Sequence, residues 1–375
     1  MRILTIAKAN TPHGVRPVAS LLRHGQEVML LDETDPFPEG RPGYSFVYLP
    51  LDSPASIEVI RRVAKAFRPD VVHVHWVDYR AAAALLADVA PVVLSVWGTD
   101  VNQWLTVSAQ GMASHAPEWF GATLKHAAQI LVDDATMPAK CAMLAGGPVS
   151  CAQLHLGIDE TLYQAPQLAE QARQIRSSLN VDDDGFIFLS PRAFSDRYRH
   201  HNILEAFSRV AKSSNAWLVF KTFYNNPPYD PSDYEITVRT LAARLGCAHR
   251  LRWVNALQEA DLPALYAACD AIVNYPVMDA FPVTFLEAMA AKRPIVTCRH
   301  DAYAGTAAES AAIFCEHSTR DLGIAMERAL TLRKNPHFGQ RLERISEQIC
   351  TQFAHTRYID GLLEIYAGLT ASRAE

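Results

Sequence analysis

Short apolar runs alternate with stretches of helical periodicity along almost the whole chain. In the first half, residues 3–7, 27–31, 45–49, 70–75, 92–96 and 129–132 read as strands, and 54–67, 79–87 and 117–127 as helices. The pattern breaks near 157–166 and restarts with a helix at 171–179 and an aspartate-rich turn at 182–185. Strands are expected at 186–190, 217–220, 250–253, 271–274, 294–297 and 311–314. Helices are expected at 202–212, 234–245, 259–269, 282–291 and 319–332. A last segment, 354–369, is amphipathic, with Tyr358, Leu362, Ile365 and Tyr366 on one face. Strand–helix alternation predicts α/β architecture with parallel sheets, here two Rossmann-like halves joined near residue 160.

Composition adds limits rather than detail. A chain of 375 residues, 49 % apolar and 20 % charged, suffices for two ordinary cores. A net charge of −5, with neither half basic, gives no electrostatic case for nucleic acid. Contact with a lipid-linked molecule, reached through an apolar surface, stays compatible with it. The 7 cysteines are scattered, with no CxxC pair, so a reducing compartment is expected and a zinc site is not. Met1-Arg2 leads straight into an apolar run too short for a signal peptide, and no apolar run reaches the ~20 residues of a spanning helix. The expected location is cytoplasmic, without a transmembrane segment, leaving room for peripheral membrane contact.

Candidate chemistry concentrates at 274–290. A strand ends at Asn274, a loop carries Asp279, and a helix is expected to open at Pro282, a residue suited to the first helical position. Amides from Phe281 through Thr284, Val283 among them, would then form an anion site suited to a diphosphate. Asp279 and Glu287 are natural partners for sugar or ribose hydroxyls. Asp279 reads equally as a loop cap, and Glu287 as one polar residue on an apolar helix. Arg192, two residues beyond a strand, could grip phosphate in bidentate fashion, whereas Arg197, His200 and His201 read as a solvated helix start.

These stretches resemble the retaining glycosyltransferases of family 4. Residues 279–290 followed by Pro294-Ile295-Val296 are similar to that family's Glu-x7-Glu element. Residues 69–75 are similar to its strand before the cleft, Trp97-Gly98-Thr99-Asp100 to its His-Gly-Thr-Asp, and Leu156-Gly157-Ile158-Asp159 to its Asn-Gly-Val-Asp. The resemblance implies the GT-B fold: two Rossmann-like domains facing across a cleft. An acceptor-binding domain would span 1–160 plus 354–375, and a nucleotide-sugar-binding domain 161–353. It implies that Glu287 holds the ribose, Asp279 the donor sugar, and Arg192 the departing diphosphate. It further implies transfer with retention, needing no metal and no cofactor beyond a nucleotide-sugar substrate of undetermined UDP or GDP type. The acceptor would be a glycan or a lipid-linked molecule, and polysaccharide biosynthesis the setting. Departures are Asp279 for glutamate, Tyr198 for a phosphate-binding lysine with Arg197, Arg199 or the Tyr198 hydroxyl itself as the substitute, Trp97 for histidine, and a single glycine, Gly14, in the first loop at 11–15.

Four of the 6 tryptophans, Trp76, Trp97, Trp104 and Trp119, cluster in the first half. Trp76 and Trp97 each follow a strand and are expected, with His75 and Asp100, to meet the acceptor, since flat rings bury the apolar side of sugars. Trp104 and Trp119 are expected in the core. His73 and His75 are expected on opposite faces of their strand, one as a satisfied core histidine, which argues against a metal pair. Asp133-Asp134 and the aspartates at 182–184 read as solvated turns. Two other readings use the same residues: a degenerate GT-B subunit that binds nucleotide sugar without turnover, and a sugar-nucleotide epimerase or phosphorylase of the same fold.

Overall fold

A computed structural model describes residues 1–8, 11–49, 56–108, 111–182, 184–222, 232–254, 257 and 259–371. The chain divides into two compact units, Met1–Leu156 with His355–Glu375, and Gly157–Ala354.

In the first unit the elements run β1 (Arg2–Ile6), α1 (Pro12–Arg23), β2 (Glu27–Asp32), β3 (Tyr44–Tyr48), α2 (Ser56–Phe67), β4 (Val71–His75), α3 (Tyr79–Ala87) and β5 (Val92–Ser95). They continue α4 (Thr99–Asn102), β6 (Leu105–Ser108), β7 (Gly111–Ser114), α5 (Glu118–His126), β8 (Gln129–Val132), α6 (Met137–Ala145) and β9 (Cys151–Gln153). Seven strands form one parallel sheet, in the order β3-β2-β1-β4-β5-β8-β9, while β6 and β7 make a separate antiparallel hairpin. Strands β4 and β5 are buried at every position, as expected for parallel strands covered on both faces.

The second unit contributes α7 (Glu160–Tyr163), α8 (Leu168–Ser178), β10 (Phe186–Ser190), α9 (His200–Ser213), β11 (Ala216–Lys221), α10 (Asp233–Arg244), β12 (Leu251–Val254), α11 (Leu262–Ala268) and β13 (Ala271–Asn274). Then follow α12 (Val283–Ala290), β14 (Ile295–Cys298), α13 (Ala308–Ala311), β15 (Ala312–Cys315), α14 (Thr319–Leu332) and α15 (Pro336–Gln352). Six parallel strands are ordered β12-β11-β10-β13-β14-β15. Two apolar layers cover them: one gathers Phe285, Met289, Ile345 and Ile349, the other Phe207, Val210, Phe220 and Met326.

The last helix, α16 (His355–Ala371), belongs to the first unit. Its His355 links the Ser20 hydroxyl (2.6 Å) to the Leu156 carbonyl (2.7 Å), and its Tyr366 meets Nδ1 of His73 at 2.5 Å. Entry to and exit from the second unit are paired, with Ile158 donating to the Phe353 carbonyl at 2.9 Å and bridging Ala354. Gly157 holds φ +72°, and a Cβ there would lie 2.6 Å from the Phe353 oxygen, so only glycine fits.

Several sequence expectations change. The helix after β13 starts at Val283; Pro282 is its N-cap, with ψ 143°, and having no N–H it offers no amide to a ligand. Residues 11–15 are not a loop, since α1 begins at Pro12 and Gly14 lies buried inside it. The hairpin β6–β7 and helices α6 and α15 add to the elements that the hydrophobic pattern predicts. Asp183 of the expected turn and residues 54–55 of the expected helix 54–67 lie outside the described residues. Asp133 and Asp134 are buried, not solvated.

Candidate functional site

Both sheets reverse their strand order once, between β1 and β4 and between β10 and β13. In open parallel sheets, ligands bind beyond the carboxyl ends of the strands at such a switch point.

At the β10/β13 switch, Arg192 follows β10 and Asp279 follows β13. The Arg192 Nη2 lies 3.3 Å from Asp279 Oδ1 and donates to the Tyr198 hydroxyl at 2.6 Å. Its guanidinium also lies 4.1 Å from the centre of the Tyr198 ring. The other oxygen, Asp279 Oδ2, accepts from the Tyr303 hydroxyl (2.8 Å) and from Asn274 Nδ2 (3.0 Å). Asp279 is therefore held on both oxygens and keeps lone pairs for a ligand. Burial opposes the Arg192 charge, but Asp279 and Tyr198 outweigh it and hold its pKa above the ordinary value. Burial, and then the charge of Asp279, push the Tyr303 hydroxyl well up, so it remains a donor.

Beside this cluster α12 begins. Its N-cap side chain makes no capping bond; the Phe285 amide donates to the Pro282 carbonyl at 2.9 Å, which leaves the amides of Val283 and Thr284 as the ones that a helix start does not pair internally. Val283 and Thr284 are half-buried there, whereas Phe281 and Pro282 are buried, with Phe281 packed against Phe285 and Phe353. One turn on, Glu287 is 8 % exposed and accepts from the Tyr266 hydroxyl of α11 at 2.8 Å. Lys221, at the end of β11, is also buried; desolvation lowers its pKa while the charge of Glu287 opposes the shift.

His200 corrects one reading. It is fully buried, not a solvated helix start: its ring stacks on Phe194 at 4.3 Å and its Nε2 lies 3.2 Å from the Arg192 carbonyl. Burial lowers its pKa to about 3, so it stays neutral and fixes the backbone that carries Arg192. Arg199 takes a left-handed conformation (φ 48°) and turns toward Tyr275 and His317, away from the Arg192 contacts. Tyr303, Asn274, Tyr266 and Lys221 were not singled out from the sequence. Tyr303 follows β14, the neighbour of β13, so only the strand order brings it to Asp279.

In the first unit, the β1/β4 switch gathers aromatic and imidazole rings. Trp97, just beyond β5, stacks between His13 (4.5 Å) and His75 (5.9 Å). His73 and His75 share one face, with ring centres 4.0 Å apart, because side chains two residues apart along a strand point the same way. The opposite-face expectation is thus overturned. His73 is satisfied by Tyr366 and by Ser95 (2.8 Å), while neither ring nitrogen of the buried His75 has a hydrogen-bond partner among the described residues. Asp100 is fully buried and accepts from the Trp97 amide (3.1 Å) and the Val77 amide (3.2 Å). It ties the loop backbone together rather than reaching outward, and desolvation raises its pKa to about 7. Trp76 holds φ 93°, a strained backbone for a bulky residue, with Lys8 Nζ 5.5 Å from its ring centre. Trp104 packs on Phe120, and Trp119 stacks on Tyr79.

Residues 171–347 match the family model "Glycosyl transferases group 1", and residues 2–134 match "Glycosyl transferase 4-like". An uncharacterized glycosyltransferase of Methanocaldococcus jannaschii is 24 % identical over 230 residues; the match spans 60 % of this chain and 57 % of that protein. Among solved structures, a glycosyltransferase from Rickettsia africae superposes with TM-score 0.78 at 13 % identity, covering 98 % of both chains. Sucrose-phosphate synthase from Thermosynechococcus elongatus gives 0.79 at 14 % identity, covering 99 % of this chain and 100 % of that one. Anabaena HepE, solved in complex with UDP and glucose, gives 0.75 at 16 % identity, covering 98 % and 100 %. The fold is GT-B, and the chain carries a glycosyltransferase group 1 domain preceded by a glycosyltransferase 4-like domain.

Proposed function

We propose that this protein transfers a sugar from a nucleotide-sugar donor to a hydroxyl of a saccharide or lipid-linked acceptor, with retention of configuration and without a metal ion. The observation that carries this reading is the Arg192–Asp279 cluster beside the uncapped start of α12. A departing nucleoside diphosphate gains negative charge in the transition state. A fixed guanidinium and aligned amides stabilise that charge without reorganisation, a contribution typically of about 3 kcal/mol per donor removed. Asp279, oriented by Tyr303 and Asn274, would accept hydrogen bonds from the donor sugar. Glu287, oriented by Tyr266, would hold the ribose. Trp97, held by its two stacked imidazoles, would line the acceptor site. That HepE was solved with UDP-glucose supports a nucleotide sugar as donor.

Thermal unfolding with UDP, GDP, ADP and their sugar conjugates, with and without a chelator, tests this. A ligand at a hundred times its Kd stabilises the folded state by about 2.7 kcal/mol. A shift for one base that survives chelation, followed by acceptor-dependent release of that nucleotide, is the expected result. No shift with any nucleotide would sink the proposal; a shift abolished by the chelator would sink its metal-free part.

A further inference from the structure

The β1/β4 switch of the first unit holds a pair of side chains that the donor site does not use. Lys8 lies two residues beyond the end of β1, and Trp76 directly follows β4, so the two stand on either side of the point where the strand order reverses. Ligands of open parallel sheets bind at such a point. Lys8 Nζ lies over the Trp76 ring, 5.5 Å from its centre, and both residues are half-buried. Among the described residues no other ring packs on Trp76, whereas Trp97 is stacked by two imidazoles.

Trp76 has a φ of 93°, where a bulky side chain strains the backbone and glycine does not. The conformation is fixed from two sides: the Trp76 amide donates to the Ser95 carbonyl at 3.0 Å, and the Val77 amide to Asp100 Oδ2 at 3.2 Å. A large ring kept where glycine would sit freely points to a use for the ring. The acids at the neighbouring strand ends are engaged elsewhere. Asp32 and Asp78 meet the buried Arg80 at 3.5 and 2.8 Å, and Asp100 accepts from the Trp97 and Val77 amides. Among the described residues no carboxylate pairs with Lys8, whose ammonium rests on the ring alone. An ammonium held on an aromatic face keeps N–H donors for an anion.

We propose that Trp76 and Lys8 form an acceptor subsite for an anionic saccharide. The indole covers the apolar side of a sugar ring, and the ammonium binds a phosphate or carboxylate carried by that sugar. The subsite takes its role from the transferase reading above, in which the first unit receives the acceptor, and it narrows that acceptor to a charged one.

Indole N–H resonances of the intact protein, made with isotope-labelled tryptophan, test this, the Trp76 signal being identified by Trp76→Phe. The titrants are methyl glucoside, methyl glucuronide, glucose-1-phosphate and inorganic phosphate. A charged sugar should move the Trp76 signal and bind about fivefold more tightly than methyl glucoside, the scale of one partly exposed ion pair; the tighter of the two charged sugars names the anion. Lys8→Gln should bring charged and neutral sugars within about twofold of each other. Trp76→Gly should abolish sugar binding and yet melt higher than Trp76→Ala, since only glycine takes that backbone freely. Equal binding of the neutral sugar, a preference that survives Lys8→Gln, inorganic phosphate binding as tightly as the sugar phosphate, or a Trp76 signal that no sugar moves would each overturn the subsite. Nucleotide binding is read separately by thermal unfolding. If a nucleotide binds and no charged sugar is preferred, the subsite alone falls; if no nucleotide binds, the transferase reading falls and takes the acceptor role with it.

Discussion

The guanidinium of Arg192 and the carboxylate of Asp279 lie 3.3 Å apart although 87 positions separate them in the chain. The pair crosses the point where the strand order reverses, and each partner is anchored separately, Arg192 by Tyr198 and Asp279 by Tyr303 and Asn274. With the arginine already neutralised, an incoming diphosphate must share it with Asp279.

Replacing Asp279 by Asn should separate binding from chemistry. The amide keeps the shape and releases Arg192, so nucleoside diphosphate affinity should hold or rise. Turnover should fall by about a hundredfold if the carboxylate stabilises charge that develops only in the transition state. Single-turnover rates and UDP or GDP titrations on the same variant check this; equal losses in both would contradict it.

The family resemblance leads one to expect a lysine at Tyr198, and here its ring and hydroxyl both support Arg192. Tyr198→Phe keeps the stacked ring and should cost turnover less than about tenfold, the scale of one net hydrogen bond. Tyr198→Lys puts a second cation against Arg192 and should lower Tm in the absence of nucleotide, with part of the loss recovered on adding a nucleoside diphosphate. A Tm unchanged in both conditions would mean that the arginine does not feel this position.

Trp97 stacks with two imidazoles, so Trp97→Ala removes both stacking contacts. The acceptor KM should rise by at least about tenfold while the donor KM changes by less than twofold. Initial rates with each substrate varied in turn would show the split, and a matched rise in both constants would remove Trp97 from the acceptor site.

Acid should loosen the first unit through His73. Burial lowers its pKa to about 3 from an ordinary value of 6.5. A histidine depressed on folding contributes stability above its unfolded pKa and loses it as pH falls from about 6.5 toward 3. At pH 5 the loss is roughly 2 kcal/mol for this one residue. Urea unfolding at pH 7 and pH 5 should show His73→Gln less stable at pH 7 but losing less on acidification. An equal loss in both proteins would place the acid sensitivity elsewhere.

The fold was legible because parallel strands buried on both faces leave continuous apolar runs. Strands such as β10 and β13 stand out against the helices that flank them. The hairpin β6–β7 was not legible, since residues 111–114 are exposed and carry no alternation. At the candidate site, Arg192, Asp279 and Glu287 could be singled out because each lies at or after a strand end or in the following helix. Tyr303 and Tyr266 could not, because their partners come from neighbouring elements and no spacing records the strand order. The face of His75 was misjudged, an error that the two-residue period of a strand corrects. His200 was read from its charged neighbours, when its burial depends on Phe194 and Phe220, residues brought to it by the sheet.

The chain enters the second unit at Gly157 and leaves it at Ala354, and α16 then completes the first. During synthesis from the N-terminus, the second unit therefore has all its strands and helices before the first is finished. Until α16 emerges from the ribosome, His73 lacks Tyr366 and Ser20 lacks His355, leaving polar groups waiting in an otherwise apolar layer. A nascent chain halted before residue 355 should thus carry a folded downstream unit and a protease-sensitive upstream one, the reverse of the order in which their sequences are made.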